Sequence, residues 1–307
     1  MNVSAPTWLE TTFSGKPDTR LSTYLKHQLG LSTTLLRKLK QSQAILVNGR
    51  PAKTNYYLQP GDRLQILAID EKPGLPGENI PLNIIYEDDY LLVVNKPAGM
   101  VTHPVKHYTS GTLANALAFY FTQGPVSRRV RLVHRLDKDT SGLVLVSANP
   151  IIHNRLVRDL KTKAIRRLYW ALVEGELSGS GTIDAPIDRE TPGSSRHIVT
   201  PEGKPSLTHY RVLKTWSSRA SLVELELETG RTHQIRVHMA HIGHPLLGDY
   251  IYGDPKGKGP INRQALHAKK LIFAHPVSGE KLELEVPLPE DMDRLVKLYD
   301  RYAELGL

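Results

Sequence analysis

The chain has no cysteine in its 307 residues, which excludes disulfides, cysteine-ligated zinc and iron–sulfur clusters. Long apolar runs are also missing. The longest are a few residues, far below the roughly 20 that a membrane helix needs. The opening stretch MNVSAPTWLETTF has neither the basic start nor the apolar run of a secretory signal. There is no GxxxxGK phosphate loop, no GxGxxG dinucleotide loop and no HExxH, so nothing invokes ATP or NAD. No internal repeat or low-complexity tract stands out. A soluble, cytoplasmic protein without membrane contact is expected, and a monomer, since no apolar stripe or coiled-coil repeat is visible.

What is present suits a core of moderate size. Hydrophobic residues make up 40% of the chain, enough for one substantial core and a smaller satellite. The formal charge of +9 is compatible with a polyanionic partner, and it is unevenly spread. Residues 1–75 hold ten Lys/Arg and five Asp/Glu, a net of +5. Within them, Leu21, Leu25 and Leu29 recur at helical spacing up to Gly30. Ser32 or Thr33 caps a second helix with Leu35, Leu36 and Leu39 inward and Arg37, Lys38 and Lys40 outward. AILV enters a tight turn at Asn48-Gly49, and a second turn at Pro60-Gly61-Asp62 leads to the closing strand RLQILAI. That cationic helix is either a surface for phosphates or a solvated face. From Arg20 through GDRLQI the run resembles the S4 domain, an RNA-binding module, including its VNG turn and the GD before its last strand.

EKPGLPGENIPLN, residues 71–83, is rich in proline and glycine and reads as a linker leaving some freedom between modules. It divides an N-terminal domain, residues 1–75, from a larger one, 76–307. Strands dominate the second, with helices expected at GTLANALAFYF and NPIIHNRLVRDLKT. SLVELELET alternates, with Val223, Leu225 and Leu227 on one face and Glu224, Glu226 and Glu228 on the other. Such a half-exposed strand points to an α+β fold with a mixed, largely antiparallel sheet flanked by helices and loops.

The densest polar segment is HRLDKDTSG, residues 134–142. Asp137 stands on a loop entering the strand LVLV, and Arg135 and Lys138 favour its ionised form, which suits a nucleophile or base. The alternative is an aspartate that caps a turn with Thr140 and Ser141. In RTHQIRVH, an extended backbone would put Thr232, Gln234, Arg236 and His238 on one face. Arg236 is then the natural partner of a buried carboxylate, either Asp137 or Asp249. His238, His241 and His244 would stack on a helix and offer a zinc set, making a histidine-dependent metal hydrolase one alternative. Arg167 and Tyr169 share a side of the strand RRLYWALVEG, where the ring could stack on a nucleobase or simply edge the core. Lys96, in the turn VVNKPAGMVTHP, either touches a phosphate or completes a structural turn.

Taken together, HRLDKDTSG, NKPAGMVTHP, RRLYWALVEG, GTIDAPI, GKPSLTHYRVL, GRTHQIRVHMAHIGHPLLGDYIYG and LHAKKLIFAHPVSGE resemble, in order, the RluA-type RNA pseudouridine synthases. The resemblance covers roughly residues 80–290 and implies that family's fold. It implies Asp137 as the catalytic aspartate, Arg236 as its partner, Tyr169 as the residue stacking on the base and Arg135 as the one entering the helix when the nucleotide leaves. Arg167 stands where many members carry lysine. Arg37, Lys38, Lys40, Lys96 and Arg167 complete the expected RNA contacts. Because reactant and product are isomers, no cofactor or metal is implied. The implied partner is structured RNA, with large-subunit ribosomal RNA favoured by the S4-like module, and not DNA. A catalytically inactive RNA-binding protein is the remaining alternative.

Overall fold

Sequence pattern marks no element before residue 19, yet Thr7–Thr12 forms β1. It pairs with the closing strand of the N-terminal module and shields that strand's edge. β2 (Thr19–Arg20) leads into α1 (Leu21–Thr23), which widens into a π-type turn over Tyr24–Gln28 and stops at Gly30, φ +69°. α2 (Thr33–Gln41) starts at Ser32, whose hydroxyl accepts from the Leu35 amide. β3 (Ile45–Val47), β4 (Arg50–Pro51), β5 (Tyr57–Leu58) and β6 (Arg63–Leu67) follow, with β1, β6, β3 and β4 in that order forming one sheet. The side chain of Asn48 donates to Asp62 and accepts from the Arg63 amide, so the VNG and GD turns hold each other. The structure is a computed structural model describing residues 6–124, 126–216, 219–253 and 260–306. The opening stretch read above for a secretory signal lies partly outside them.

The expected freedom of residues 71–83 is not what the structure shows. The segment has no helix or strand, but Glu71 forms a two-pronged ion pair with Arg131 at 2.6 and 2.8 Å. Further on, Asn115 donates to the Pro76 carbonyl, and Gly77 lies so close that a Cβ would stand 2.8 Å from the Phe119 backbone. Proline and glycine here let the chain lie flat on a helix. The two modules are also packed together, for Ile151 belongs to the apolar cluster of the N-terminal module and Asn149 donates to the Trp8 carbonyl.

The second module is built on β7 (Ile84–Glu87), β8 (Leu91–Lys96), α3 (Leu113–Thr122), β9 (Ser141–Ser147), α4 (Pro150–Lys161) and β10 (Arg166–Glu174). Then come β11 (Ser180–Asp184), β12 (Ile187–Arg189), β13 (His197–Val199), β14 (Leu207–Trp216) and β15 (Ala220–Leu227). α5 (Gln234–His241), β16 (Leu266–Ala274), β17 (Lys281–Glu285) and α6 (Glu290–Glu304) complete it. The main sheet runs β11-β14-β15-β10-β16-β9-β8-β7, with β17 on β16. It is antiparallel except where β16 meets β9, His267 opposite Ser141 and Ala268 opposite Gly142. Gly142 has φ +114°, and a Cβ there would stand 2.3 Å from the Ala268 carbonyl oxygen. The glycine of HRLDKDTSG is thus what lets the two halves of the sheet join.

β8 and β9 are buried on both faces. Leu92, Val94, Val144 and Val146 meet α3 and α5 in one cluster, while Leu91, Val93, Leu143 and Leu145 meet α4 in another. Among the described residues no helix is long and apolar enough to cross a membrane.

Candidate active site

The loop 134–140 is held by its backbone. Thr102 Oγ1 donates to the Leu136 carbonyl at 2.6 Å and accepts from the Leu136 amide at 3.3 Å, pinning the residue before Asp137. The Asp137 carbonyl accepts from the Thr140 amide, and Arg263 donates to the Asp139 carbonyl at 3.1 Å. So the turn uses the main chain of Asp137 and leaves its carboxylate, 28% exposed, pointing to a cleft. A turn-capping side chain is therefore not its role. His134 is buried, accepts from the Leu145 amide through Nε2, and is pushed down to about 3 by burial first and by Arg167 second.

Opposite the loop stands α5, and here the structure corrects an expectation. RTHQIRVH is not extended: His233 sits at φ +58° and the helix begins at Gln234. Residues 234–239 are all buried, and a helix buried all round carries no 3.6-residue period to be read. Arg236 projects from it with 3% of its side chain exposed. Its Nε and Nη2 donate to Asp249 at 2.6 and 2.8 Å, and Asp249 also accepts from the amides of Ile251 and Tyr252. The free Nη1 faces Asp137 Oδ2 at 3.5 Å. Both carboxylates left open by the sequence thus share one guanidinium, with Asp249 as the two-pronged partner.

His233 lies on the same side, Nε2 3.9 Å from Asp137. Tyr252 Oη accepts from the His197 amide and is hydrogen-bonded to His233 Nδ1 at 2.9 Å. Burial holds this imidazole down to about 4, against the pull of Asp137, so it is neutral and offers no acidic proton at neutral pH.

The cleft measures about 730 Å³ and is lined by Asp137, Arg135, His233, Arg167, Tyr169 and neighbouring residues, within the size range of small-ligand sites. Tyr169 is held in mid-strand between Leu225 of β15 and Ala268 of β16. Burial raises its hydroxyl above the ordinary phenol range, opposed by Arg167. Arg167 is itself buried, with Nη2 donating weakly to the Leu227 and Thr229 carbonyls and Nε without a partner.

A family model described as RNA pseudouridylate synthase matches residues 90–241, which include the Asp137 loop, Tyr169 and Arg236. The uncharacterized RNA pseudouridine synthase YhcT of Bacillus subtilis is 41% identical over 295 residues, covering 95% of this chain and 97% of its own. This chain belongs to the RNA pseudouridylate synthase family. Ribosomal large subunit pseudouridine synthase D of Haemophilus influenzae is 43% identical over 249 residues, 77% of this chain and 76% of that protein. Of solved structures, human RNA pseudouridylate synthase domain containing 1 aligns with a TM-score of 0.56 at 30% identity, over 73% of this chain and 97% of that one. As a pseudouridylate synthase the chain is an isomerase acting on RNA, and its mixed, largely antiparallel sheet flanked by helices is that family's fold.

In this synthase the cationic residues are placed very differently from one another. Arg135 is exposed at the cleft mouth, and Arg37, Lys38 and Lys40 are exposed on α2 of the other module. Lys96 corrects the phosphate-contact expectation. It is fully buried, and its Nζ donates to the carbonyls of Pro97, Met100 and Lys138 at 2.8 to 3.0 Å. Burial lowers it to about 7. It ties the NKPAG turn to the Asp137 loop and does not reach RNA.

The histidine stack weighed as a zinc set is not assembled. α5 ends at His241, His238 is bonded through both nitrogens to Thr208 and Ala185, and His244 bonds the Glu174 carbonyl. Among the described residues no group of three His, Asp or Glu is arranged to hold a metal. Sequence reasoning missed Tyr252, Thr102 and Arg263. The aspartate and aromatics of GDYIYG were a usable signal for Tyr252, whereas Thr102 gave none.

Proposed function

We propose that Asp137 is the catalytic carboxylate of this pseudouridine synthase and that its target is a uridine in structured large-subunit ribosomal RNA. The observation that carries the reading is the carboxylate itself, open to the cleft, with a buried guanidinium at 3.5 Å behind it. The reaction breaks the N1–C1′ bond of uridine, turns the uracil and joins C5 to the same carbon. Asp137 must stay ionised next to apolar walls, and Arg236 supplies the stabilising charge. Because Asp249 holds the other two nitrogens of Arg236, the guanidinium cannot swing across and smother the Asp137 oxygens. Asp137 then acts on the sugar, either by attack at C1′ or by taking a sugar proton.

The uridine has to leave its helix to enter the cleft, at a cost of a few kcal/mol offset by stacking and phosphate contacts. Tyr169 is the stacking residue, with Arg167 beside it. As burial keeps Tyr169 a neutral phenol, its hydroxyl can pass on the C5 proton only while giving up its own. Arg135 fills the space the nucleotide leaves. The N-terminal unit, residues 1–75 followed by the 71–83 connection, is an S4-like RNA-binding domain that offers Arg37, Lys38 and Lys40 to the RNA. The support for the ribosomal target is the similarity to large-subunit pseudouridine synthase D.

Mapping pseudouridines in total RNA from cells with the protein, without it, and with only Asp137→Asn tests the reading. One or more large-subunit sites should vanish in the last two. Sites that persist with Asp137→Asn, or that lie only in other RNAs, would overturn it.

A further inference from the structure

Large apolar or aromatic side chains left open to solvent are few among the described residues: Tyr56, Tyr57, Val105, Tyr108, Tyr250, Leu298 and Leu305. Tyr108 and Tyr250, 45% and 53% exposed, are both near Lys138, the residue that follows Asp137. Lys138 Nζ donates to the Tyr108 hydroxyl at 3.0 Å and lies 4.7 Å from the centre of its ring. The Tyr108 turn is closed by paired hydrogen bonds with Val105, and Val105 lines the cleft. Tyr250 is fixed from the other side, between Asp249, which is bonded to Arg236, and Tyr252, which is bonded to His233. The Tyr108 ring and the Lys138 ammonium therefore adjoin Val105 and Asp137 of the cleft lining, with Tyr250 on an anchored segment nearby, and no step of isomerisation uses them.

We propose that Tyr108, Lys138 and Tyr250 form an outer subsite for the nucleotide next to the flipped uridine, with its base on a tyrosine ring and its phosphate on Lys138. When the uridine leaves its stack, the neighbouring base loses a stacking partner. An exposed aromatic ring replaces that partner without regard to base identity, because every base has a π-face. The lysine adjoining the ring matches the phosphate that joins the two nucleotides. The inference rests on the proposed reading of Asp137 and adds a contact one nucleotide away from it.

The test compares kcat/KM on a stem-loop carrying the mapped target uridine with stem-loops abasic at the nucleotide before it or after it. Wild type should lose about 10-fold on one of the two abasic RNAs. Tyr108→Leu/Tyr250→Leu should lose a similar factor on the intact RNA and little further on that abasic one. Tyr108→Phe, which keeps the ring, should retain the wild-type sensitivity to base removal. Wild type indifferent to both abasic positions, or a double variant equally impaired on all three RNAs, overturns the subsite. Wild-type protein that forms no pseudouridine in the intact stem-loop would refute the proposed reaction itself, a separate outcome.

Discussion

Asp137 and Asp249 flank the same guanidinium, so neutralising each in turn should separate catalysis from stability. The Asp249 carboxylate is fully buried and accepts two bonds from Arg236 and two from backbone amides. An asparagine has one oxygen, and its amide protons would face donors. Asp249→Asn therefore leaves Arg236 buried without its two-pronged partner, at a cost of about 3–5 kcal/mol. Asp137 is partly exposed and its 3.5 Å contact is single, so Asp137→Asn should cost no more than about 1 kcal/mol and leaves a satisfied, neutral pair behind it. Urea unfolding and pseudouridine turnover, measured on both variants, give the comparison. Asp137→Asn should keep its midpoint and lose all turnover. Asp249→Asn should drop its midpoint by at least about 1 M and, as Arg236 turns to Asp137, lose turnover about 100-fold. Equal destabilisation by the two substitutions, or a wild-type midpoint for Asp249→Asn, would refute this account of the shared guanidinium.

The remaining predictions concern the loop, the cations and pH. Thr102→Val removes both bonds to Leu136 and should lower stability by about 1–2 kcal/mol and reduce kcat more than it raises KM, which steady-state kinetics on a stem-loop would show. Arg37→Gln and Lys38→Gln should each reduce the salt slope of RNA binding by about 1. Lys96→Met should leave that slope unchanged while stability falls by about 1–3 kcal/mol, because three carbonyls lose their donor. Filter binding at several salt concentrations separates the two. His134, His233 and His267 are held down to about 3, 4 and 4 by burial. Between the ordinary imidazole value near 6.5 and those values the unfolded chain binds more protons than the folded one. Stability should therefore fall as pH drops from 7 to 5, with about three protons taken up on unfolding at pH 5 from these groups. Unfolding curves that do not move over that range would contradict it.

Much of the fold can be read from the chain because its signals are local. Leucines 21, 25, 36 and 39 carry a helical period, and an Asn-Gly pair makes a turn wherever it stands between short strands. GLVLV and SLVELEL announce a fully buried and a half-exposed strand by composition alone. The cleft residues Asp137, Arg135, Arg167 and Tyr169 could be nominated in the same way, from polar groups at the ends and on the faces of such strands. What stayed hidden depends on burial by distant elements. The period of α5 vanished because every side of it is covered, and residues 71–83 lie fixed because Arg131, Asn115 and Phe119 receive them.

The sequence by itself determined most of the elements, the cationic N-terminal helix and the candidates Asp137, Arg135, Arg167 and Tyr169, since propensity, turn geometry and charge belong to each residue and its near neighbours. Only the tertiary structure decided that Lys96 is an internal tie rather than a phosphate contact, that Asp249 and not Asp137 takes both prongs of Arg236, and that His233 faces Asp137 in neutral form. Those outcomes turn on desolvation and on contacts of 2.6 to 3.9 Å between residues far apart in the chain, which spacing along a chain does not encode.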